Sequence, residues 1–389
     1  MRYCALLVLV GTVWTAAAQD DVTIPNRKLV EYGWDVPTSD YVAAHIGEME
    51  QRPFDGLLFR LQAGTNVLEP TAWPADTFKA DYELLPTIAW KKFTDNFVMM
   101  LAASDQDWFN DAHWEAILNN VRLVTRAAKL ARCVGICFDA EPYGTNPWSY
   151  KEAVHAKEKS FAEYSAIARK RGGQFVQAVE SEFPNPRILN FYLTNLFRDL
   201  LVNMPDEQRK EKLAQHDYAL FPPFTEGMLE MAGAGTEIID GNESAYYYTE
   251  KAPYFESYQA IHGRGPLLYY PSLEPEFRAH VRVGQALYVD QYYGLRQTTK
   301  TPGNFLAPED QAKWFEHNVY WALFSSDRYV WCYSERMDWW RNKDIPVGSL
   351  EAIRSARRKI ANGEPLGLDI APAIAAAKEA QAAEAAATK

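Results

Sequence analysis

Val134-Gly135-Ile136-Cys137-Phe138-Asp139-Ala140-Glu141-Pro142 is the stretch on which the fold of this chain turns. A short apolar run ends abruptly in two acids and a proline, so it reads as a buried strand whose far end carries chemistry. With a period of two, Asp139 and Glu141 share a face with Gly135 and Cys137, while Val134, Ile136 and Phe138 occupy the other. Apolar residues turned toward covering helices and acids turned toward an open mouth suit a strand of a parallel barrel.

On either side the same unit recurs. The strands predicted before it are Leu29 to Asp35, Phe54 to Leu61 and Phe97 to Ala102. Those predicted after it are Arg187 to Leu193, Thr236 to Asn242, Ala286 to Tyr292 and Tyr329 to Ser334. Helical patterns fall between them: Asp40 to Gln51, Asp111 to Arg132, Tyr150 to Phe183 with an interruption at Gly172-Gly173, Asp206 to Gln215, Thr225 to Ala232, Glu274 to Arg282 and Pro308 to Ser325. A last helix, Ser349 to Ala361, completes a ring. Such alternation predicts the α/β class and a (β/α)8 TIM barrel. The segment from Gln62 to Phe93, with Pro70, Pro74 and Pro86, is an extended loop after strand two, expected over the barrel mouth. A doubly wound open sheet is the rival topology, but no glycine-rich phosphate loop follows the first strand.

The first 18 residues carry a lone Arg2, an apolar run from Ala5 to Val13 and the triplet Ala16-Ala17-Ala18, the layout of a signal peptide cut near Ala18. The mature chain is therefore expected to be secreted or periplasmic. Residues 19–368 are expected to form one barrel domain and residues 369–389, rich in Ala, Glu and Lys, a frayed helix or a disordered tail. No later run is apolar over a membrane-spanning length, so no membrane insertion is expected. Cys133 and Cys137 lie four apart on one strand, roughly 13 Å between Cα atoms, which is too far for a disulfide. With Cys332 they read as small buried apolar fillers.

The formal charge is −11, with no long basic stripe, and an acidic surface repels phosphate backbones. Nucleic acid is thus a poor partner. The composition includes 12 Trp and 22 Tyr, a stock that fills a core and also supplies rings for stacking on sugars.

In a barrel the C-terminal ends of the strands form the active face. Strand one ends in Glu31, Trp34 and Asp35, strand four in Asp139, Glu141 and Tyr143, and strand six in Asp240, Asn242 and Glu243. Strand seven carries Asp290 and Tyr292. Strand eight ends in Tyr333 and Glu335, with Trp339 beyond. Two acids as close as Asp139 and Glu141 repel when both are ionised, which raises one of them and makes it a candidate general acid. A capping or Arg-pairing role is the plainer reading of either. Glu31 and Asp35 would bind substrate hydroxyls, or Glu31 would sit lower in a buried polar network. The seven histidines all fall in helices or connections, with no His-x-His pair on a strand, so a histidine-ligated metal centre is disfavoured. Neither a Gly-x-Ser-x-Gly elbow nor a strand ending in Lys is present, which disfavours serine esterase and Schiff-base chemistry.

At these strand ends the chain resembles the secreted glycoside-hydrolase barrels. Asp139-Ala140-Glu141 is similar to the tail of the Asp-x-Asp-x-Glu motif of chitinase-type barrels, with Cys137 where the motif has its first Asp. The resemblance implies cleavage of glycosidic bonds in an extracellular poly- or oligosaccharide by paired carboxylates. It implies Glu141 as general acid/base, Asp139 as its partner, and Glu243 or Glu335 as the second carboxylate. Trp34, Tyr143, Tyr292, Tyr333 and Trp339 would stack on sugar faces, with Glu31, Asp35, Asp240, Asn242 and Asp290 binding hydroxyls. No cofactor is required. Two other readings stand beside it: a catalytically silent glycan-binding barrel, and a divalent-metal enzyme should Asp139, Glu141, Asp240, Asp290 and Glu335 converge.

Overall fold

A computed structural model of the chain describes residues 24–102, 106–296 and 299–387. The expected signal peptide lies outside the described residues.

Among these residues the chain runs β1 (Lys28–Gly33), α1 (Ser39–Met49), β2 (Gly56–Phe59), α2 (Lys79–Leu84), β3 (Phe97–Leu101), α3 (Asp111–Leu130), β4 (Gly135–Asp139) and α4 (Phe161–Glu182). It continues through β5 (Arg187–Asn190), α5 (Asp206–Ala214), α6 (Phe221–Met231), β6 (Glu237–Asp240), α7 (Ala252–Tyr258) and α8 (Glu274–His280). The last elements are β7 (Val281–Val283), β8 (Gln285–Tyr288), α9 (Val289–Tyr293), α10 (Pro308–Ser325), β9 (Tyr329–Ser334), α11 (Ser349–Ala361) and α12 (Ala371–Ala387).

All the strand pairings are parallel, in the order β7-β6-β5-β4-β3-β2-β1-β9-β8. Strands β7 and β8 are two halves of one stave divided at Gly284: the first half pairs with β6 and the second with β9. Gly284 spans the break, its N–H donating to the Asp240 carbonyl at 2.7 Å. The sheet is therefore a nearly closed α/β barrel of the TIM type, with helices around it, as expected.

Several boundaries differ from those expected. Strand seven was expected over Ala286 to Tyr292, but the chain turns into α9 at Val289, so Asp290 and Tyr292 are helical. The helix expected from Tyr150 begins instead at Phe161, where Ser160 and Glu163 form a capping box. The loop after β2 does not cover the mouth. It leaves the rim, where Leu101 donates to Thr65, and descends along α3, with Asn120 accepting from Trp73, Tyr82 donating to Leu123 and Trp90 to Ala131. With prolines barring a long helix, it fills the space a second barrel helix would take. The Ala-rich C-terminal segment is helical, with Ile374 and Ala377 buried.

Gly172 and Gly173 do not interrupt α4; they let α6 approach it. A Cβ on Gly172 would sit 1.8 Å from the Phe224 carbonyl oxygen, and one on Gly227 would sit 1.8 Å from that of Arg169. Gly227→Ala is therefore expected to destabilise the protein by about 1–3 kcal/mol through overpacking, read as a lower urea midpoint with an unchanged slope. An unchanged midpoint would mean that the two helices can part without loss.

The N-terminal end of the barrel is closed by a polar network in which Arg187 donates to Asp95 at 3.0 Å and to the Tyr329 hydroxyl at 2.6 Å. Arg187 also pairs with Glu237 at 3.2 Å. This end is therefore sealed, and the chemistry is left to the opposite one. Cys133, Cys137 and Cys332 are buried free thiols.

Candidate active site

The floor of the mouth is aromatic. Trp331 on β9 crosses the barrel, donating its Nε1–H to the Gly241 carbonyl at 2.8 Å and stacking on Phe191 at 4.3 Å between centroids. Tyr32 lies 4.6 Å from Phe191, and Tyr246 lies 5.2 Å from Tyr333 and 5.0 Å from Tyr288. Because side chains alternate along a strand, this layer fixes which neighbours face the mouth. Tyr32, Trp331 and Tyr333 face inward, so Glu31, paired with Cys332 in register, faces the helices. On β4, Phe138 packs against Phe175 and Phe224 of α4 and α6, so Cys137 and Asp139 face inward, as the period-two reading requires.

Asp139 is fully buried at the end of β4, where it accepts from the Glu141 N–H at 2.9 Å and the Tyr143 hydroxyl at 3.1 Å. Burial, aided by the Glu141 charge, pushes its carboxyl up to about 7 against those hydrogen bonds. Glu141 itself is exposed at the rim. Glu243, one turn past β6, is half-buried, and burial followed by the charges of Glu141 and Asp139 pushes it up to about 8. Burial first, and then the neighbouring carboxylate charges, thus raise Asp139 and Glu243 beside Glu141 on one side of the mouth. Tyr192 and Tyr218, joined through their hydroxyls at 3.0 Å, stand in the same field: the Asp139 and Glu141 charges help hold both phenols above their ordinary range.

A second acidic pair lies at the end of β8 and β9. Asp290 is buried, accepts from the Glu335 N–H at 2.9 Å, and is raised to about 6, mainly by burial. Its Oδ1 has no hydrogen-bond partner among the described residues. Tyr333 donates to Glu335 at 3.4 Å. Trp34 is 65% exposed beneath the Arg336 guanidinium, 5.5 Å from its ring, and Tyr143 is 58% exposed, so both rings are open to a ligand.

Other expected site residues lie elsewhere. Asp240 faces away from the mouth and accepts the backbone N–H groups of Thr194, Asn195 and Asn242 at 2.8–3.1 Å, so it fastens the turn after β5. Asn242, held at φ 48°, is buried with its amide bonded to Gln285 and Asn195. Both are fully buried and turned from the mouth, so neither reaches a sugar there. Tyr292 is fully buried against Phe315 and Trp314, and Trp339 is fully buried against Phe54, so neither ring can stack on substrate. Asp35 accepts from the Trp339 N–H at 2.8 Å, tying the loop after β9 to β1. Glu31 is fully buried behind β1, raised by burial and by the Asp35 charge. These two acids are part of the wall. Tyr32, Tyr192, Tyr218, Tyr246, Tyr288 and Trp331 were not expected in the site. The period-two rule applied to β1 and β9 points to Tyr32 and Trp331, whereas Tyr192, Tyr218 and Tyr246 lie past strand ends.

The proposed ligands of a divalent ion do not converge: among the described residues no group of three or more His, Cys, Asp or Glu side chains could hold a metal. What the mouth gathers is Asp139, Glu141 and Glu243 over an aromatic floor in a TIM-type barrel.

No protein-family profile matches this chain, and no curated protein matches it in sequence. Among solved structures, a glucosidase from Croceicoccus marinus is similar, at 12% identity and a TM-score of 0.38, over 86% of this chain and 68% of that one. So loose a likeness does not bear on chemistry.

Proposed function

We propose that the protein is a glycoside hydrolase acting on an oligo- or polysaccharide at the mouth formed by Asp139, Glu141 and Glu243. The observation that carries this reading is buried Asp139 facing the mouth beside exposed Glu141, with the Glu243 carboxyl raised to about 8 by burial and by the charges of those two acids. Paired carboxyl groups with divided protonation are what glycosidic cleavage needs. Glu243 gives its proton to the leaving oxygen as the bond to the anomeric carbon breaks. Glu141 supplies the carboxylate, as nucleophile or as the base that takes a proton from water. These roles exchange those expected from the chitinase-type motif, because burial raises the Glu243 carboxyl, while Glu141 stands exposed at the rim. Asp139, bonded to the Glu141 N–H and Tyr143, holds the rim in place. Across the floor, half-buried Glu335 binds hydroxyls, and Trp34 and Tyr143 stack on sugar rings.

The test is a library of neutral oligosaccharides incubated with the parent chain, Glu141→Gln and Glu335→Gln. The parent should release shorter sugars and Glu141→Gln should lose turnover, while Glu335→Gln should lose affinity, seen as a raised KM. Thermal stabilisation by a glycan without product would favour a silent binder. Full activity in a folded Glu141→Gln would sink the assignment.

A further inference from the structure

The flank of the barrel carries a concavity of about 560 Å³, bounded by the first turn of α4, by α5, by the start of α6 and by the segment from Pro266 to Glu274. No carboxylate of the mouth lines it. Its volume is that of a small-molecule pocket. The walls are apolar, with Leu213, Leu268 and Tyr269, and Pro222, Pro223, Pro266 and Pro271 fix the backbone around them. Prolines hold such a wall preformed, so little ordering opposes a ligand.

The charge around this apolar space is one-sided. Five carboxylates line it against two bases, and both bases are engaged: Arg209 donates to the carbonyls of Leu200 and Val202, and Lys210 pairs with Glu207 at 3.0 Å. Glu274 pairs with Arg278 at 2.7 Å. Asp206 and Glu211 have no ion pair within reach among the described residues. Glu226 stands in the wall itself, 7% exposed, with one oxygen accepting from the Tyr270 N–H at 3.1 Å. The nearby Arg169 directs its guanidinium to Glu230, at 2.9 Å. The α4 N-terminus, which would draw an anion, is already capped by Ser160 and Glu163.

We propose that this cavity binds a small organic cation, a protonated amine on an apolar body, with the ammonium against Glu226 and the body between Leu268 and the prolines. The full-length protein is titrated calorimetrically with 4-phenylbutylamine, 4-phenylbutanol and 4-phenylbutyrate. The amine should bind once per chain, about 10-fold tighter than the alcohol, a modest charge-assisted gain, and the carboxylate should not bind. Glu226→Gln should reduce the amine to the affinity of the alcohol. Ala162→Trp, at an exposed position of the lining, should abolish binding of both without disturbing the core. Equal affinity for amine and alcohol, a preference that survives Glu226→Gln, or no binding of any of the three overturns the proposal.

Discussion

Glu243→Gln is expected to lower kcat on a cleavable oligosaccharide by about 10²–10⁴-fold, the range that a positioned general acid contributes, with little change in KM. The sign of the pH dependence follows from the environment of Glu243. Burial and the charges of Glu141 and Asp139 hold the carboxyl up to about 8, so the protonated, active form prevails below that pH and is lost as pH rises through it. The parent enzyme should therefore show an alkaline limb near pH 8 in kcat/KM, and the Gln variant should lack it. A leaving group that needs no protonation, such as a dinitrophenolate glycoside, should restore much of the bond-cleavage rate in the variant, because an absent proton donor matters only where the leaving oxygen is basic. Glu141→Gln should not be rescued in this way. An alkaline limb that persists in Glu243→Gln would assign the proton to Asp139, whose carboxyl is raised to about 7. Wild-type turnover in the folded variant would remove Glu243 from the chemistry.

The site is legible in the sequence where the facing of a residue, and not only its position, is fixed by alternation along a strand. At strand four the period-two rule puts Asp139 on the mouth side, and Asp139 faces the mouth with Phe138 against α4 and α6. At strand six nearness to the strand end alone points to Asp240 and Asn242. Asp240 and Asn242 there face the surrounding layer, and Gly241 between them gives its carbonyl to Trp331. The same alternation would have set Glu31 aside in favour of Tyr32. Tyr192, Tyr218 and Tyr246 were not legible, since each lies in an irregular segment and meets the carboxylates only because the barrel closes. Element boundaries fared best where an apolar run has sharp polar flanks, as at β9, α10 and α11, whose limits match those expected. They fared less well at strand seven. Leu287-Tyr288-Val289 and the tyrosines after it all suit a strand, yet the chain turns helical at Val289, where α9 packs against α10.

The largest loss of stability is expected from Arg357→Met in α11, the helix that completes the ring. Arg357 is 2% exposed and donates through both terminal nitrogens to Asp55, at 2.7 and 2.8 Å. Asp55 is also buried and accepts from the Leu29 N–H at 2.8 Å, so one carboxylate joins β1, the turn before β2 and the closing helix. Nothing in the sequence announced this pair, whose members lie 302 residues apart. Removing the cation strands a buried charge, and breaking such a pair from one side costs about 3–5 kcal/mol. The attraction between the two ions contributes less than that figure suggests, since burying both is itself unfavourable. The double variant Asp55→Asn with Arg357→Met should therefore be more stable than Arg357→Met alone, retaining an amide oxygen for the Leu29 N–H while removing the unpaired charge. Urea unfolding of the parent, the two single variants and the double variant decides it. If Arg357→Met unfolds within about 1 kcal/mol of the parent, the range of an exposed pair, then α11 is held by its apolar face and the ion pair has no part in closing the barrel.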